Sequence, residues 1–262
     1  MKPLGTRLAE LSGTAMAALQ VLLALAVVAA WQFASGRIAP AFFISNPADV
    51  AHKLGSWVQD GSIFLHLWVT LCETVLGFVL GSAVGIALGI ALGLSRFLSR
   101  LLTPFLFVFN ALPKPALAPL VVLWFGLGMQ SKVVLSAVIV FFIVFFNTFT
   151  GVREADRDLI DTVRLMRGTR LQVLTHAIIP SAATWIFAGL QIAVPYALIG
   201  AIVAELIAAK AGLGYLIQVA GAQFDTAGVF AALVVIALLA IVLNVVVQVL
   251  QSRTQRWKLI DR

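Results

Sequence analysis

Long apolar runs constrain the fold of this chain more than any other feature. The sequence contains about six of them, each long enough for the ~20 residues with which a helix crosses a membrane. Hydrophobic residues make up 61% of the chain and charged residues only 11%. So few charged side chains cannot cover the surface of a soluble protein of this length. The sequence therefore predicts an all-α integral membrane protein, with residues 1–262 forming a single transmembrane domain.

The first run is too long for the apolar region of a signal peptide and lacks a cleavage site with small residues, so we expect a retained span. In chain order the predicted spans are Ala15–Phe33, His66–Leu94, Leu101–Leu127, Ser131–Phe149, Ser181–Ala209 and Gly228–Leu250.

A short helix is predicted between the first two spans. Asn46 and Pro47 have the residue types of a helix N-cap and first position, and apolar residues recur at helical spacing from Val50 to Val58. This pattern indicates an external amphipathic helix over residues 47–60 that lies at the membrane interface.

The basic residues predict the orientation, because cytoplasmic loops of membrane proteins are enriched in Lys and Arg. Four segments hold most of the eighteen basic residues, and they all lie on one side of the predicted topology. They are Lys2, Arg7, Arg96, Arg100, Arg153, Arg157, Arg164, Arg167, Arg170, Arg253, Arg256, Lys258 and Arg262. The opposite side holds Arg37, Lys53, Lys132 and Lys210, and Lys114 lies within a span. Both termini and the charged segment 151–180 are therefore predicted to be cytoplasmic.

Other chemistries find no support in the sequence. The basic residues sit in short loops and tails, which does not indicate a nucleic-acid partner. Cys72 is the single cysteine and lies in an apolar run, so no disulfide or cysteine metal cluster is expected. The three histidines have no metal-ligand spacing. We predict no catalytic residue and no metal site.

The second span carries glycines at strict four-residue intervals, which form a ridge along one helix. Small residues at this spacing let helix backbones approach closely in lipid. Tight packing inside the bundle is the main interpretation, and a surface that slides during a conformational change is the alternative. The ridge consists of Gly77, Gly81, Gly85, Gly89 and Gly93.

The charged segment 151–180 leaves the membrane and predicts two short amphipathic helices. Apolar residues recur from Leu159 to Met166 in the first, and we expect Gly168 to end it in a left-handed conformation. Thr169 can cap the second helix, and Pro180 begins the next span. Such a segment suits docking into a groove of a soluble partner, or lying on lipid headgroups.

The same segment resembles the loop by which permease subunits of bacterial ABC importers contact their ATPase. Their pattern is Glu-Ala-Ala, three residues, Gly, nine residues and Ile-x-Leu-Pro. Anchored on Pro180, Asp161 takes the glutamate position, while Thr162 and Val163 replace the alanines. Arg167 occupies the glycine position, and the glycine follows one residue later as Gly168. The resemblance implies that Asp161 and Gly168 shape a coupling helix. Arg164 and Arg170 are then polar contacts beside that helix.

The likeness extends over about Pro47–Leu250. Residues 95–128 and 186–217 are similar to the third-span and fifth-span regions of the nitrate/sulfonate/taurine permeases. The resemblance implies the type I importer fold in the bacterial inner membrane, a homodimer of this subunit, a cytoplasmic ATPase dimer and an extracytoplasmic solute-binding protein. The chain lacks a G-x-x-x-x-G-K-[ST] phosphate loop. ATP and magnesium are therefore expected on the partner ATPase, and no cofactor on this chain.

Ionisable residues at membrane depth are costly and usually face a partner or a cavity. Glu73, Lys114 and Glu205 lie within predicted spans, and Lys114 stands between two prolines. Lys114 either pairs with one of the two carboxylates, attracts an anionic solute, or extends to the interface. Together with Asn110, these residues form a candidate solute pathway.

The sequence thus predicts the permease subunit of an ATP-driven importer for a small, anionic solute resembling nitrate, sulfonates or taurine. A vitamin or pyrimidine precursor, or an aromatic carboxylate, is the alternative cargo. A secondary transporter usually has inverted repeats, which the sequence does not show. A membrane-embedded enzyme would need convergent catalytic groups.

Overall fold

A computed structural model of the protein describes residues 13–38 and 40–254. The basic residues Lys2, Arg7, Arg256, Lys258 and Arg262, on which part of the predicted orientation depends, lie outside the described residues. Within them the chain is helical almost throughout, which confirms the all-α prediction.

The helices are α1 (Gly13–Ala34), α2 (Ala41–Ile44), α3 (Pro47–Gln59), α4 (Ser62–Leu94), α5 (Arg96–Ala111), α6 (Ala118–Phe125), α7 (Met129–Arg153), α8 (Arg157–Leu165), α9 (Arg170–Val173), α10 (Ile179–Ile207), α11 (Leu213–Ala222) and α12 (Thr226–Thr254). A 3₁₀ turn (Lys114–Leu117) precedes α6, and a π-helical turn (Leu174–Ile178) precedes α10.

Among the described residues, five helical segments are long and apolar enough to cross a membrane: α1, α4, α7, the segment Arg170–Ile207 and α12. The pair formed by α5 and Lys114–Phe125 passes the same test together, but the two parts are bent by 85°. The third predicted span, Leu101–Leu127, is therefore present as two helices with a bend between them, at the prolines that flank Lys114. Pro113 and Pro115 lack the N–H groups that would continue the helix, and Leu112 before them is extended.

The described residues group into two compact units. The first contains residues 13–38, 40–60 and Val219–Ala231. In it Asn46 Oδ1 caps α3 by accepting a hydrogen bond from the N–H of Asp49 at 2.8 Å, as the sequence indicates for a helix starting at Pro47. Lys53 Nζ lies 2.6 Å from Asp225 Oδ2. Burial raises the pKa of Asp225, but the contacts with Lys53 and the Gly228 N–H outweigh burial and hold that pKa below its usual value.

The second unit contains Gly61–Gln218 and residues 232–254. In this unit α7 packs against both α4 and α10, which also contact each other. Val140 and Val144 of α7 form a buried cluster with Ala193 and Ala197 of α10. Ser136 on α7 adds a hydrogen bond between these two helices, because its hydroxyl donates to the Ala197 carbonyl at 2.9 Å.

The glycine ridge of α4 lies directly against α7. A Cβ at Gly85 would lie 3.0 Å from the Phe141 carbonyl oxygen, and one at Gly89 would lie 2.7 Å from Thr148 Cβ. The two backbones are closer than larger side chains would permit. Two glycines of α10, which the spacing argument did not single out, approach α7 in the same way: Gly189 and Gly200.

Candidate functional sites

The charged segment 151–180, which we call the coupling loop after its predicted role, contains α8, α9 and the π-helical turn. Asp156 caps α8, because its Oδ1 accepts the N–H groups of Asp158 at 2.8 Å and Leu159 at 3.4 Å. Thr169 caps α9 by accepting the Gln172 N–H at 3.3 Å, while Gln172 Oε1 accepts the Thr169 N–H at 2.7 Å. The predicted cap at Thr169 is thus present as a reciprocal capping box, and the cap at Asp156 is additional.

The turn between α8 and α9 corrects one detail of the prediction. The left-handed residue is Arg167, with φ 57°, and not Gly168. Gly168 is needed for another reason. Its N–H donates to the Val163 carbonyl at 2.9 Å, and a Cβ at Gly168 would lie 2.6 Å from Val163 Cγ1. The glycine therefore permits a close approach and does not supply an unusual backbone angle.

One side of the coupling loop packs against the end of α7 and the start of α10, within the second unit. Val163 and Ile160 contact a buried cluster that includes Val152 at the end of α7 and Ala182 near the start of α10. Pro180 lies in the first turn of α10, where its missing N–H breaks no helical hydrogen bond. The loop is therefore held against the spans on both sides of it.

The other side of the coupling loop is exposed. Leu165 is 85% exposed, and Met166, the last residue of the predicted apolar face, is 79% exposed. Asp161 and Arg164 form a surface ion pair at 3.3 Å. The Thr162 hydroxyl donates to the Asp158 carbonyl of its own helix at 2.7 Å. A surface groove of ~690 Å³ runs beside this face; its lining is Leu94, Arg164, Gly168, Arg170, Leu171, Val173, Leu174 and Ile178.

The structure separates Lys114 from the carboxylates that the sequence offered as partners. Lys114 Nζ donates to the backbone oxygen of Asn110 at 2.5 Å and to Asn110 Oδ1 at 2.7 Å. The ammonium also lies 5.0 Å from the centre of the Phe142 ring. The predicted pairing of Lys114 with Glu73 or Glu205 is therefore wrong. The break after α5 brings Asn110 and Lys114 together.

Glu73 and Glu205 instead lie near Lys132, which the sequence analysis placed on the external side, at the start of the fourth span. The buried polar cluster, as we call Glu73, Lys132, Glu205 and Thr70, joins α4, α7 and α10. Lys132 Nζ donates to the carbonyls of Leu127 at 2.5 Å, Gly128 at 3.1 Å and Ala208 at 2.5 Å. Glu205 accepts the Thr70 hydroxyl at 2.6 Å and the Gly214 N–H at 2.6 Å.

The cluster also fixes the connection between α10 and α11. Thr70 Oγ1 accepts the Leu213 N–H at 2.7 Å, and His66 Nδ1 accepts the Gly212 N–H at 3.0 Å. The sequence around Lys132, Thr70 and His66 gives little indication that they form this cluster, because each is a single polar residue near the end of an apolar run. In the described part of the chain, no group of three His, Cys, Asp or Glu residues is arranged to hold a metal ion.

Comparison with known proteins adds the family context. Residues 81–257 match the family described as binding-protein-dependent transport system inner membrane component. The chain is 38% identical to the riboflavin transport system permease protein RibX of Chloroflexus aurantiacus, over 84% of this chain and 82% of the relative. It is 32% identical to the taurine transport system permease protein TauC of Escherichia coli, over 87% and 84%. It is 30% identical to the putative aliphatic sulfonates permease SsuC of Bacillus subtilis, over 91% and 87%.

Among solved structures, the fold is similar to that of a chain of the MetNI methionine ABC transporter in an inward-facing conformation. The TM-score is 0.64 at 19% identity, and the match covers 72% of this chain and 94% of that chain. At this identity the likeness concerns the fold alone. It agrees with the type I importer fold expected from the sequence.

Proposed function

Because the chain belongs to the family of binding-protein-dependent transport system inner membrane components, the permeases of ABC importers, we propose that it is driven by ATP hydrolysed on a separate subunit. The solute reaches it from an extracytoplasmic binding protein. The chain converts motion of the ATPase dimer into alternating access, and two copies of it form the pathway. It binds no cofactor itself, and ATP and magnesium belong to the partner.

The exposed side of the coupling loop is the observation that carries this proposal. Leu165, Met166 and Leu171 are large apolar side chains that are largely exposed. The first two lie outside the span-length segments, and Leu171 lies in the first turn of the segment Arg170–Ile207. The basic side chains of Arg164 and Arg170 stand beside them. An apolar face of this kind, flanked by charges, is typical of a helix that docks into a groove of a protein partner. The partner that fits is the cytoplasmic ATPase.

This assignment requires the coupling loop to be cytoplasmic. The basic residues of α5 and of the loop, Arg96, Arg100 and Arg153 among them, support that orientation by the positive-inside rule. Helix α3 then lies outside, where the binding protein docks. Both termini are cytoplasmic in this arrangement.

For the cargo we propose a small solute with an anionic group. Two relatives are named for aliphatic sulfonates and for taurine, which are small solutes with such a group. Lys114 offers a cation whose described hydrogen-bond partners are the neutral oxygens of Asn110, so its charge is not neutralised there. The alternative is a vitamin or pyrimidine precursor, and similarity to permeases named for riboflavin and formylaminopyrimidine favours it.

Copurification tests the partner. Tagged chain expressed with its candidate ATPase should retain that ATPase through affinity purification, and vesicles containing both should take up solute only with ATP. Leu165→Gln should weaken ATPase retention without lowering the thermal unfolding temperature, because this side chain is 85% exposed. Val58→Gln, an exposed apolar position on α3, is the matched control and should leave retention unchanged. Uptake that persists without any ATPase would favour a secondary transporter.

A further inference from the structure

The buried polar cluster contains two carboxyl groups but only one ammonium group. Glu73 is 3% exposed, Lys132 is 2% exposed and Glu205 is fully buried. Two ionised carboxylates and one ammonium would leave a net negative charge in a buried site. Such a charge is very costly at low dielectric unless it is paired or neutralised.

Glu205 has the surroundings of an ionised carboxylate. Each of its oxygens accepts a hydrogen bond, from the Thr70 hydroxyl and from the Gly214 N–H, both at 2.6 Å. Donors of this kind favour the charged form of a carboxyl group. The neighbouring glycines also leave room for it, since a Cβ at Gly214 would lie 2.9 Å from Glu205 Oε2.

Lys132 has the surroundings of an ammonium whose donors are all used. Its Nζ has three hydrogen-bond partners, the carbonyls of Leu127, Gly128 and Ala208. An ammonium has three N–H groups, so none remains for a carboxylate. Lys132 therefore balances the charge of Glu205 through space and does not hydrogen-bond to Glu73.

Glu73 differs from Glu205 in what surrounds it. It follows Thr70 by three residues on α4, so it stands on the helix face from which Thr70 reaches the Glu205 carboxylate. Its Oε2 is buried and has no hydrogen-bond partner. The donors of Lys132 are used by three carbonyls, so none of them is bonded to Glu73. A charged carboxylate is very costly in a buried site where its oxygen finds no donor, so Glu73 is the group that holds the proton.

We propose that Glu73 and Glu205 form a buried proton-binding site, in which Glu73 carries the proton and Glu205 is the neighbouring carboxylate. The protonated pair and Lys132 together are neutral. The titratable groups in and around the site are Glu73 and His66 on α4, Lys132 on α7 and Glu205 on α10. Tyr215 of α11 stacks on His66, with ring centres 5.7 Å apart. The neutral cluster holds the segment between α10 and α11 against α4 and α7.

Infrared difference spectroscopy of the purified protein tests the proton directly. We expect a C=O stretch of a protonated carboxyl group that shifts in heavy water and is lost in Glu73→Gln. Glu154→Gln, which changes an exposed carboxylate, is the matched control and should leave the band in place. A wild-type protein without this band, or a Glu73→Gln variant that keeps it, would overturn the proposal. The wild-type spectrum decides even if a variant fails to fold.

Thermal unfolding gives a second readout. A neutral glutamine at position 73 leaves the charge of the cluster unchanged, so Glu73→Gln should shift the unfolding temperature by less than about 3 °C, which is the effect of ~1 kcal/mol on a chain of this size. Glu205→Gln leaves Lys132 buried without its counter-charge and should lower that temperature by more than about 6 °C. Adding Lys132→Met to Glu205→Gln should restore part of the loss. Equal losses in the two glutamine variants would contradict the assignment of the proton to Glu73.

Discussion

Adding one methyl group at Gly89 tests whether the glycine ridge is a true contact between backbones. A Cβ at this position would lie 2.7 Å from Thr148 Cβ, 2.8 Å from Thr148 Cγ2 and 3.1 Å from the Phe145 carbonyl oxygen. Favourable carbon–carbon contacts lie at about 3.5–4.0 Å, so the two helices must separate by roughly 1 Å. Thr148 is fully buried and β-branched, and it cannot turn away.

Overpacking of this kind costs about 1–3 kcal/mol. Replacing a helical glycine by alanine favours the helix by about 0.5–1 kcal/mol, which offsets part of the loss. We therefore expect Gly89→Ala to lower stability by about 1–2 kcal/mol, or the unfolding temperature by about 2–8 °C.

Gly55→Ala is the matched control for Gly89→Ala. Gly55 is also helical, in α3, but a Cβ there would meet nothing within 4 Å. This variant should raise the unfolding temperature by the helix propensity alone. Thermal unfolding of both purified variants in the same detergent gives the comparison. If Gly89→Ala is as stable as Gly55→Ala, the close approach of α4 and α7 is wrong.

Three further changes follow from single contacts. Arg167→Gly should stabilise the coupling loop by about 1 kcal/mol in thermal unfolding, because glycine adopts the left-handed φ of 57° without strain; a loss of stability would show that the arginine side chain matters more. Lys114→Met should leave the unfolding temperature nearly unchanged and lower solute uptake; unchanged uptake would remove Lys114 from the pathway. The contacts of Asp225 hold its pKa below the ordinary value of 3.8. Its contact with Lys53 therefore stabilises the fold fully above pH 3.8, and this stabilisation is lost as the pH falls through the lower, folded-state pKa. Asp225→Asn should therefore remove this acid-dependent part of the stability, and an unchanged pH dependence would contradict it.

Local chemistry explains which parts of the fold could be predicted from the sequence. A span needs only a sufficient apolar length, so the spans other than the third were found within a few residues of their ends. Caps depend on one or two side chains, which is why Asn46 and Thr169 were identified. The ridge of α4 follows from its regular spacing, whereas Gly189 and Gly200 on α10 are eleven residues apart and form no pattern.

The errors have equally physical causes. The left-handed position at the end of α8 depends on where the last helical turn closes, and that differs by one residue from the position of the glycine. The permease pattern puts a glycine at the position of Arg167, which is the residue with positive φ.

The lysines show a limit of sequence reasoning about buried charge. Prolines on both sides of Lys114 suggested a buried cation with a carboxylate partner, but the bend they produce turns Lys114 back toward Asn110. Lys132 had no such local sign. Its position depends on carbonyls from residues 127, 128 and 208, and residue 208 is far away in sequence. No window of the sequence contains that information.

The contacts of α7 bear on the choice between a packed and a sliding glycine ridge. Near its start, Lys132 is bonded to the Ala208 carbonyl beyond the end of α10, and near its end Val152 packs against Ala182 of α10. Between them, the Ser136 hydroxyl is bonded to the Ala197 carbonyl. Sliding of α7 along α10 would break all three contacts at once, and loss of the first would leave the buried ammonium with two acceptors for its three N–H groups. Since α4 contacts α7 at every glycine of its ridge, its motion is tied to that of the pair. Under the proposed function, we therefore expect α4, α7 and α10 to transmit movement of the coupling loop as one body, with the glycine ridge serving packing.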